Sequence, residues 1–351
     1  MQSTTFALTT LSLNPEYFEE TIALIEREFH YDSNHHFEID FAPLMNPLNF
    51  ENCFLLIDEE SNSVAAHLAV CERVVIKNGV RTPVAIIGGI VTDKKFRGQK
   101  LFKKLMDHAL NEFSSRVSLF ILWSEIESLY EKFGFSRAGG LIETGKSVFS
   151  LSDRPAGYEK TSFNLLSSSD FEQIVSLYKD FNEKYFFTLE RDDKEWSIIK
   201  DMKSIDVYIK RNLEGSIAKY FCVNKGRDLT SIIHEISALN ENEFQSLLKD
   251  VDRFKLWVPE SESLRFSARE IFFTAFIKLG NEKLFDHFLA QITDGELSII
   301  KRENQLVHFK YKSETHIASE QDFIQYVLGP RPLEEFSPYK LSLYICGADS
   351  I

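Results

Sequence analysis

Between Lys94 and Lys104, six of eleven side chains are basic, in a chain whose acidic residues otherwise outnumber its basic ones. Inside that run, Arg97, Gly98, Gln99 and Lys100 follow the apolar stretch Ile90-Val91-Thr92 and precede a periodic stretch that opens at Leu101. A strand that hands over to a helix at such a point offers unpaired backbone N–H groups and the positive end of the helix dipole. Gly98 lets the backbone approach closely, and Arg97 adds a donor fork suited to phosphate oxygens. The chemistry that fits is the grip on an anion, a pyrophosphate best of all. A solvated basic turn is the plainer reading, and charge alone does not separate the two. Farther on, Leu129-Tyr130-Glu131-Lys132-Phe133-Gly134-Phe135 sets a phenol beside a tight glycine turn, with Glu125 and Glu127 just before it.

The elements that position these residues read as two passes of one pattern. Asn14 and Pro15 signal a helix start, and Phe18, Ile22, Ile25 and Phe29 recur on one helical face. Strand-like runs follow at 53–57, 64–76 and 82–92, the last two joined by Lys77-Asn78-Gly79, a strong hairpin signal; an antiparallel meander is the simplest assembly. The adjacent Gly88 and Gly89 suggest a bulge or a close backbone approach. A helix facing inward with Leu101, Leu105, Met106, Ala109, Leu110 and Phe113 comes next, then a strand at 117–123 and a short helix carrying Tyr130. After a Pro- and Gly-containing segment at 150–160 the order repeats. A helix opens at Ser169-Asp170-Phe171-Glu172, spaced as a capping box, and a second lies around Trp196. Strands fall at 205–209, 216–223 and 229–239, a helix at 241–249 and a strand at 254–258. Further strand-like runs (297–300, 306–311) and an extended tail at 338–351 complete the chain.

The run from Val91 to Gln99 and the helix behind it resemble the acetyl-CoA-binding motif of the GCN5-related N-acetyltransferases (GNAT), Arg/Gln-x-x-Gly-x-Gly/Ala. Arg97 matches its first position, while Lys100 and Phe102 stand where the later small residues would be. The strand 119–123 and the Leu129–Phe135 stretch are similar to the second family element, with Trp123 in place of the usual Asn. The resemblance implies acetyl-CoA as cosubstrate, with no metal. Pantetheine would run along Ile90, Val91 and Thr92, and the pyrophosphate would sit on Arg97, Gly98, Gln99, Lys100 and Leu101. Tyr130 would be the general acid. No carboxylate lies between 82 and 91, so the base falls to Glu125 or Glu127, to His67 or Cys71, or, as in some multi-domain relatives, to the C-terminal carboxylate of Ile351.

These observations predict an α/β protein with an α+β mixed sheet: a GNAT-like catalytic domain at 1–150, a linker at 151–160, and a degenerate second copy with a C-terminal extension at 161–351. The second copy reads Ile236-Ser237-Ala238-Leu239-Asn240-Glu241-Asn242-Glu243 at the equivalent junction, without Arg or Gly and with acids where phosphates would sit. The function implied is transfer of acetyl to a primary amine of a small molecule or peptide. The alternative is a non-catalytic acyl-CoA-binding or protein-interaction module. With 351 residues, 44% of them hydrophobic, and a net charge of −13, the composition excludes disorder and argues against a nucleic-acid or anionic-membrane binder. That acidic balance suits a cationic acceptor. The four cysteines, widely spaced in apolar surroundings, read as reduced and buried. His30, Asp32, His35, His36 and Asp40 match no familiar metal frame and read as a polar loop, one that by the resemblance borders the acceptor. With neither signal peptide nor spanning segment, a cytoplasmic protein is expected.

Overall fold

A computed structural model describes residues 5–259, 269–329, 341 and 343–350. The first pass contains β1 (Phe6–Thr10), α1 (Phe18–Glu28), α2 (Phe37–Asp40), α3 (Ala42–Met45), β2 (Cys53–Asp58), β3 (Ser63–Lys77), β4 (Val80–Thr92), α4 (Leu101–Phe113), β5 (Leu119–Leu122), α5 (Glu127–Tyr130) and β6 (Ser136–Thr144). The second contains β7 (Glu159–Thr161), α6 (Ser168–Tyr185), β8 (Phe187–Leu189), α7 (Asp193–Lys200), β9 (Asp206–Arg211), β10 (Ile217–Val223), β11 (Ile233–Ala238), α8 (Glu241–Val251), β12 (Leu256–Pro259) and β13 (Arg269–Leu279). A smaller unit follows: α9 (Glu282–Ile292), a three-stranded sheet of β14 (Leu297–Glu303), β15 (Leu306–Tyr311) and β16 (Glu314–Ser319), and α10 (Glu320–Leu328). The short β17 (Leu343–Tyr344) pairs in parallel with β8.

Local chemistry accounts for most of these elements. The Asn78-Gly79 turn joins β3 to β4 with both residues at positive φ, 50° and 78°, as a two-residue hairpin matching strand twist requires. Side-chain alternation then sends Leu68, Val70, Ala85 and Ile87 to one face, against Leu105, Met106 and Phe113 of α4. Ala69, Cys71 and Val91 go to the other, against Ile22 and Ile25 of α1 and Leu44 of α3. Two helix starts depart from expectation. Asn14 caps nothing: its side-chain oxygen accepts from the Thr9 hydroxyl at 2.7 Å, and Pro15–Tyr17 form a 3₁₀ turn before α1. Helix α6 is capped by Ser167, which accepts from the Asp170 N–H at 3.1 Å, in place of the Ser169–Glu172 box.

The sheet runs β1-β2-β3-β4-β5-β13-β6-β12-β11-β10-β9-β7, with β8 and β17 attached beside β3. Its centre is an exchange. β13 pairs antiparallel with β5, from Leu122↔Phe276 to Leu119↔Leu279, while β6 pairs antiparallel with β12. The two exchanged strands pair with one another. Each pass thus sets its last strand beside the other's next-to-last.

A buried ionic cluster also ties the passes together. Asp349 accepts from Arg73 of β3 at 2.9 Å and from Arg191, just past β8, at 2.7 Å. Arg191 also donates to Glu235 of β11 at 2.7 Å and lies over the rings of Tyr178 and Trp196. Burial would raise the Asp349 carboxyl, but Arg191 and Arg73 outweigh it and hold it below the ordinary value. The predicted tail strand is described only at Leu343 and Tyr344. The neighbouring 330–340 and 342, and Ile351 itself, lie outside the described residues. Removing one partner of a buried pair leaves uncompensated charge, so Asp349→Ala should cost about 3–5 kcal/mol of stability in urea unfolding, and Asp349→Asn less.

Candidate functional site

The site begins with a defect in β4. His67 of β3 stands opposite Val91 and Ala69 opposite Gly88, so Leu68 alone faces Gly89 and Ile90. Gly89 takes φ +60°, which the bulge requires and other residues adopt at a cost. On its other side β4 pairs in parallel with β5 over four rungs, the last Ile87↔Leu122. Beyond that rung the ladder stops. Ile90, Val91 and Thr92 continue along β3, so their β5 side opens into a gap.

The gap leads to the start of α4. Lys100, at φ +63°, is its N-cap residue but makes no side-chain cap, and the first turn carries no acid. A Cβ built on Gly98 would meet nothing within 4 Å, and Lys94, Lys95, Gly98, Gln99 and Lys100 are all exposed. The arrangement leaves first-turn N–H groups open beside several cations, a geometry that favours an anion. The equivalent start of α8 is closed. Asn240 accepts from the Glu243 N–H at 3.1 Å, and Glu241 and Glu243 occupy the first turn.

Arg97 is not idle. Its guanidinium donates to the Glu28 carboxylate at 2.6 Å and, through Nε, to the Thr92 carbonyl at 3.4 Å. Arg27 pairs with Asp93 at 2.8 Å alongside. The basic run is therefore partly neutralised by the end of α1, a relation that a separation of 69 residues hides from sequence reading. Lys103 and Lys104 are engaged too, with Asp107 and with the Phe6 carbonyl. Phe102 turns back into the core, its ring edge-on to Tyr130 at 5.8 Å and to Phe133 at 5.3 Å, and does not stand over Gly98.

Tyr130 is 6% exposed and tilted against Phe276 of β13 at 6.0 Å. Burial raises its pKa above the ordinary phenol value, so it stays protonated and able to donate. Trp123, half-buried, donates its indole N–H to the Thr274 carbonyl of β13 at 2.9 Å. The C-terminal half thus contributes Thr274 and Phe276 to this site. Glu125 is exposed on the turn after β5, while Glu127 pairs with Arg137 at 3.2 Å. His67 and Cys71, on the face opposite α4, are 0% and 8% exposed. All four cysteines are free and buried.

Residues 10–138 match the model of the acetyltransferase (GNAT) domain. The matched segment runs from the end of β1 into β6, most of the first pass. A conserved protein from Enterococcus faecalis V583, described as a probable N-acyltransferase, superposes at TM-score 0.64 with 14% identity, over 93% of this chain and 91% of that one. A GCN5-related N-acetyltransferase from Anabaena variabilis superposes at 0.58 with 16% identity, over 90% and 85%. Eis1 from Mycobacterium abscessus gives 0.56 and 10%, also over 90% and 85%. At these identities the likeness is one of fold. No curated protein matches the sequence. Among the described residues, no group of three or more His, Cys, Asp and Glu is arranged to hold a metal ion, and no helix is long and apolar enough to cross a membrane.

Burial lowers the imidazoles of His67 and His234 from 6.5 to about 4. The unfolded chain binds those protons near pH 6.5 and the folded chain only near 4, so stability falls as pH drops through that window. Each histidine should remove roughly 2 kcal/mol between pH 6.5 and 5. Urea midpoints measured across that range should fall with pH, and the slope should flatten in a His67→Leu variant.

Proposed function

We propose that this protein is an N-acyltransferase that moves acetyl from acetyl-CoA to a primary amine by direct attack within a ternary complex. The observation that carries this reading is the continuity of one path: the gap beyond the Ile87–Leu122 rung opens at one end onto the uncapped, cation-rimmed start of α4. Pantetheine, an amide-bearing arm, suits the strand edge of Ile90, Val91 and Thr92, and a diphosphate suits Gly98, Gln99, Lys100 and Leu101 with Arg97 beside them.

In the reaction the neutral amine nitrogen attacks the thioester carbonyl and a C–N bond forms. The carbonyl oxygen takes negative charge and returns it as the C–S bond breaks. The departing thiolate takes a proton, and Tyr130 is the donor this reading assigns, its raised pKa keeping the phenol loaded. The attacking ammonium must lose a proton first. Glu125 is the exposed carboxylate on the turn before Tyr130, and it is the described group this reading assigns as base. A cationic acceptor suits the chain's acidic balance, a net charge of −13.

One observation favours the second reading, a module that binds acyl-CoA without turnover: Arg97 is already held by Glu28. Calorimetry with acetyl-CoA, followed by thiol release over a panel of amines, separates the two. Binding with thiol release supports the enzyme, binding without release on any amine supports the module, and no binding defeats both. For the enzyme, Tyr130→Phe should lower kcat by about a hundredfold with little change in acetyl-CoA affinity. Glu28→Gln releases Arg97 and removes a like charge from the diphosphate, so it should tighten CoA binding about two- to fivefold, whereas Arg97→Ala should weaken it.

A further inference from the structure

The second pass carries a cleft beside the closed start of α8. It lies between α6, the β9–β10 hairpin and the β11–α8 junction, with a volume of ≈ 390 Å³, within the range of small-molecule sites. On α6 its wall is one helical stripe: Gln173, Ser176, Leu177, Asp180, Phe181 and Lys184 recur at steps of three and four or their sums. Leu177, Phe181, Ile217 and Ala238 are buried and give it an apolar floor. Asp180, Lys184 and Leu239 are exposed and form its rim.

The first pass fills the corresponding place with ions. Two hydrogen bonds in each pass set the correspondence. The Val64 N–H donates to Glu20 of α1 at 2.9 Å, as the Ile217 N–H donates to Gln173 of α6 at 2.8 Å. The Asp93 N–H reaches the Ala65 carbonyl at 2.9 Å, as the Leu239 N–H reaches that of Ala218 at 2.8 Å. One turn pair beyond Glu20, Arg27 bridges to Asp93 at 2.8 Å. At the same step beyond Gln173 stands Asp180, and the counterpart of Asp93 is Leu239. The helix charge is reversed and its partner is gone, so a bridge has become a cleft.

The polar groups of that cleft are left with unspent capacity. Asp180 accepts from the Ser176 hydroxyl on one oxygen at 3.1 Å, and Lys184 lies over the Tyr185 ring at 4.9 Å. Among the described residues neither is in an ion pair. Glu241 bears on Lys184, but the Tyr185 hydroxyl and the Gln245 amide already donate to it. The side-chain carbonyls of Asn212 and Asn240 accept from the Ser216 and Glu243 N–H groups at 2.9 and 3.1 Å, which leaves both NH₂ groups as donors. An amine alone would leave Lys184 and the amides unanswered, and a carboxylate alone would leave Asp180 so. A molecule that carries both charges on one carbon answers all of them.

We propose that this cleft is a binding site for a free apolar α-amino acid, with its ammonium on Asp180, its carboxylate on Lys184 and the Asn240 amide, and its side chain on Leu177, Phe181 and Leu239. Four residues of helix rise about 6 Å, a span that an amino-acid head hydrogen-bonded at both ends can bridge. The site shares no residue with the path from Ile90 to Leu101, and it stands whether or not the chain transfers acyl groups.

The test is a titration of the whole protein with L-leucine, in the absence of acetyl-CoA, followed by calorimetry and by the methyl resonances of Leu239. Leucine should bind and shift those resonances. Isocaproate, which lacks the ammonium, and isoamylamine, which lacks the carboxylate, should each bind about tenfold more weakly or worse. Asp180→Asn and Lys184→Met should each weaken leucine by about the same factor, with the unfolding midpoint unmoved because both side chains are exposed. Absence of both heat and shifts at millimolar leucine overturns the proposal. So does equal affinity for either one-charge analogue. Leucine binding that survives both substitutions overturns it too, because the amino acid then sits elsewhere, as an acceptor amine in the first pass would.

Discussion

The site depends on one strand satisfying two incompatible neighbours. β4 must remain hydrogen-bonded to β3 along its length and yet abandon β5 after Ile87. An ordinary strand that leaves a partner in a buried sheet exposes backbone groups that then need other acceptors and donors. The bulge at Gly89 resolves this locally, with two residues against Leu68 and a carbonyl taken up by an imidazole. β5, for its part, is held on its far side by β13, and that hold is reinforced by side chains: the Trp123 indole on the Thr274 carbonyl and Phe276 against Tyr130. The opening is therefore not a loosened edge. It is a gap between two strands that are each fastened elsewhere.

Electrostatics then distinguishes the two passes more sharply than topology does. Both bring a strand to a helix start, but α4 begins at an uncapped Lys100 with a glycine two residues before it, whereas α8 begins at Asn240 with its own acids in the first turn. The first end is open to an external anion, and the second has met its requirements internally. A second contrast lies in burial. The cations of the α4 run are exposed and share a few acids, while Arg73 and Arg191 are buried and matched by Asp349, Glu195 and Glu235. Guanidinium groups hold the passes together in one place and meet solvent in the other.

What was readable in the sequence follows from the range of the interactions involved. The Asn78-Gly79 hairpin, the inward face of α4, the Gly88-Gly89 bulge and the concentration of basic residues are all set within a few positions, and each is legible from residue type and spacing. β13 was not. Its run Ile271 to Leu279 is apolar save for Thr274 and Lys278, because it lies in the middle of the sheet, so it lacks the alternation that marks a half-exposed strand. Glu28, Thr274, Phe276 and Asp349 act across dozens to hundreds of residues, and no local pattern announces them. The capping errors at Asn14 and Ser169 have a smaller cause: several small polar residues compete at each helix start, and packing chooses among them.

The exchange of β6 and β13 also bears on how the chain reaches this state. Leu122 finds its partner in Phe276, roughly 150 positions away, so neither half can complete its hydrogen-bonding ladder by zipping up nearby segments. Closing so large a loop costs little more in equilibrium entropy than closing a moderate one, but contacts this distant slow the search. Until the crossover forms, β5 and β12 each present a bare apolar edge, the kind of surface through which nascent chains stick to one another. Rapid refolding at high concentration is thus not to be expected of this architecture, and conditions that shield those edges should decide its yield.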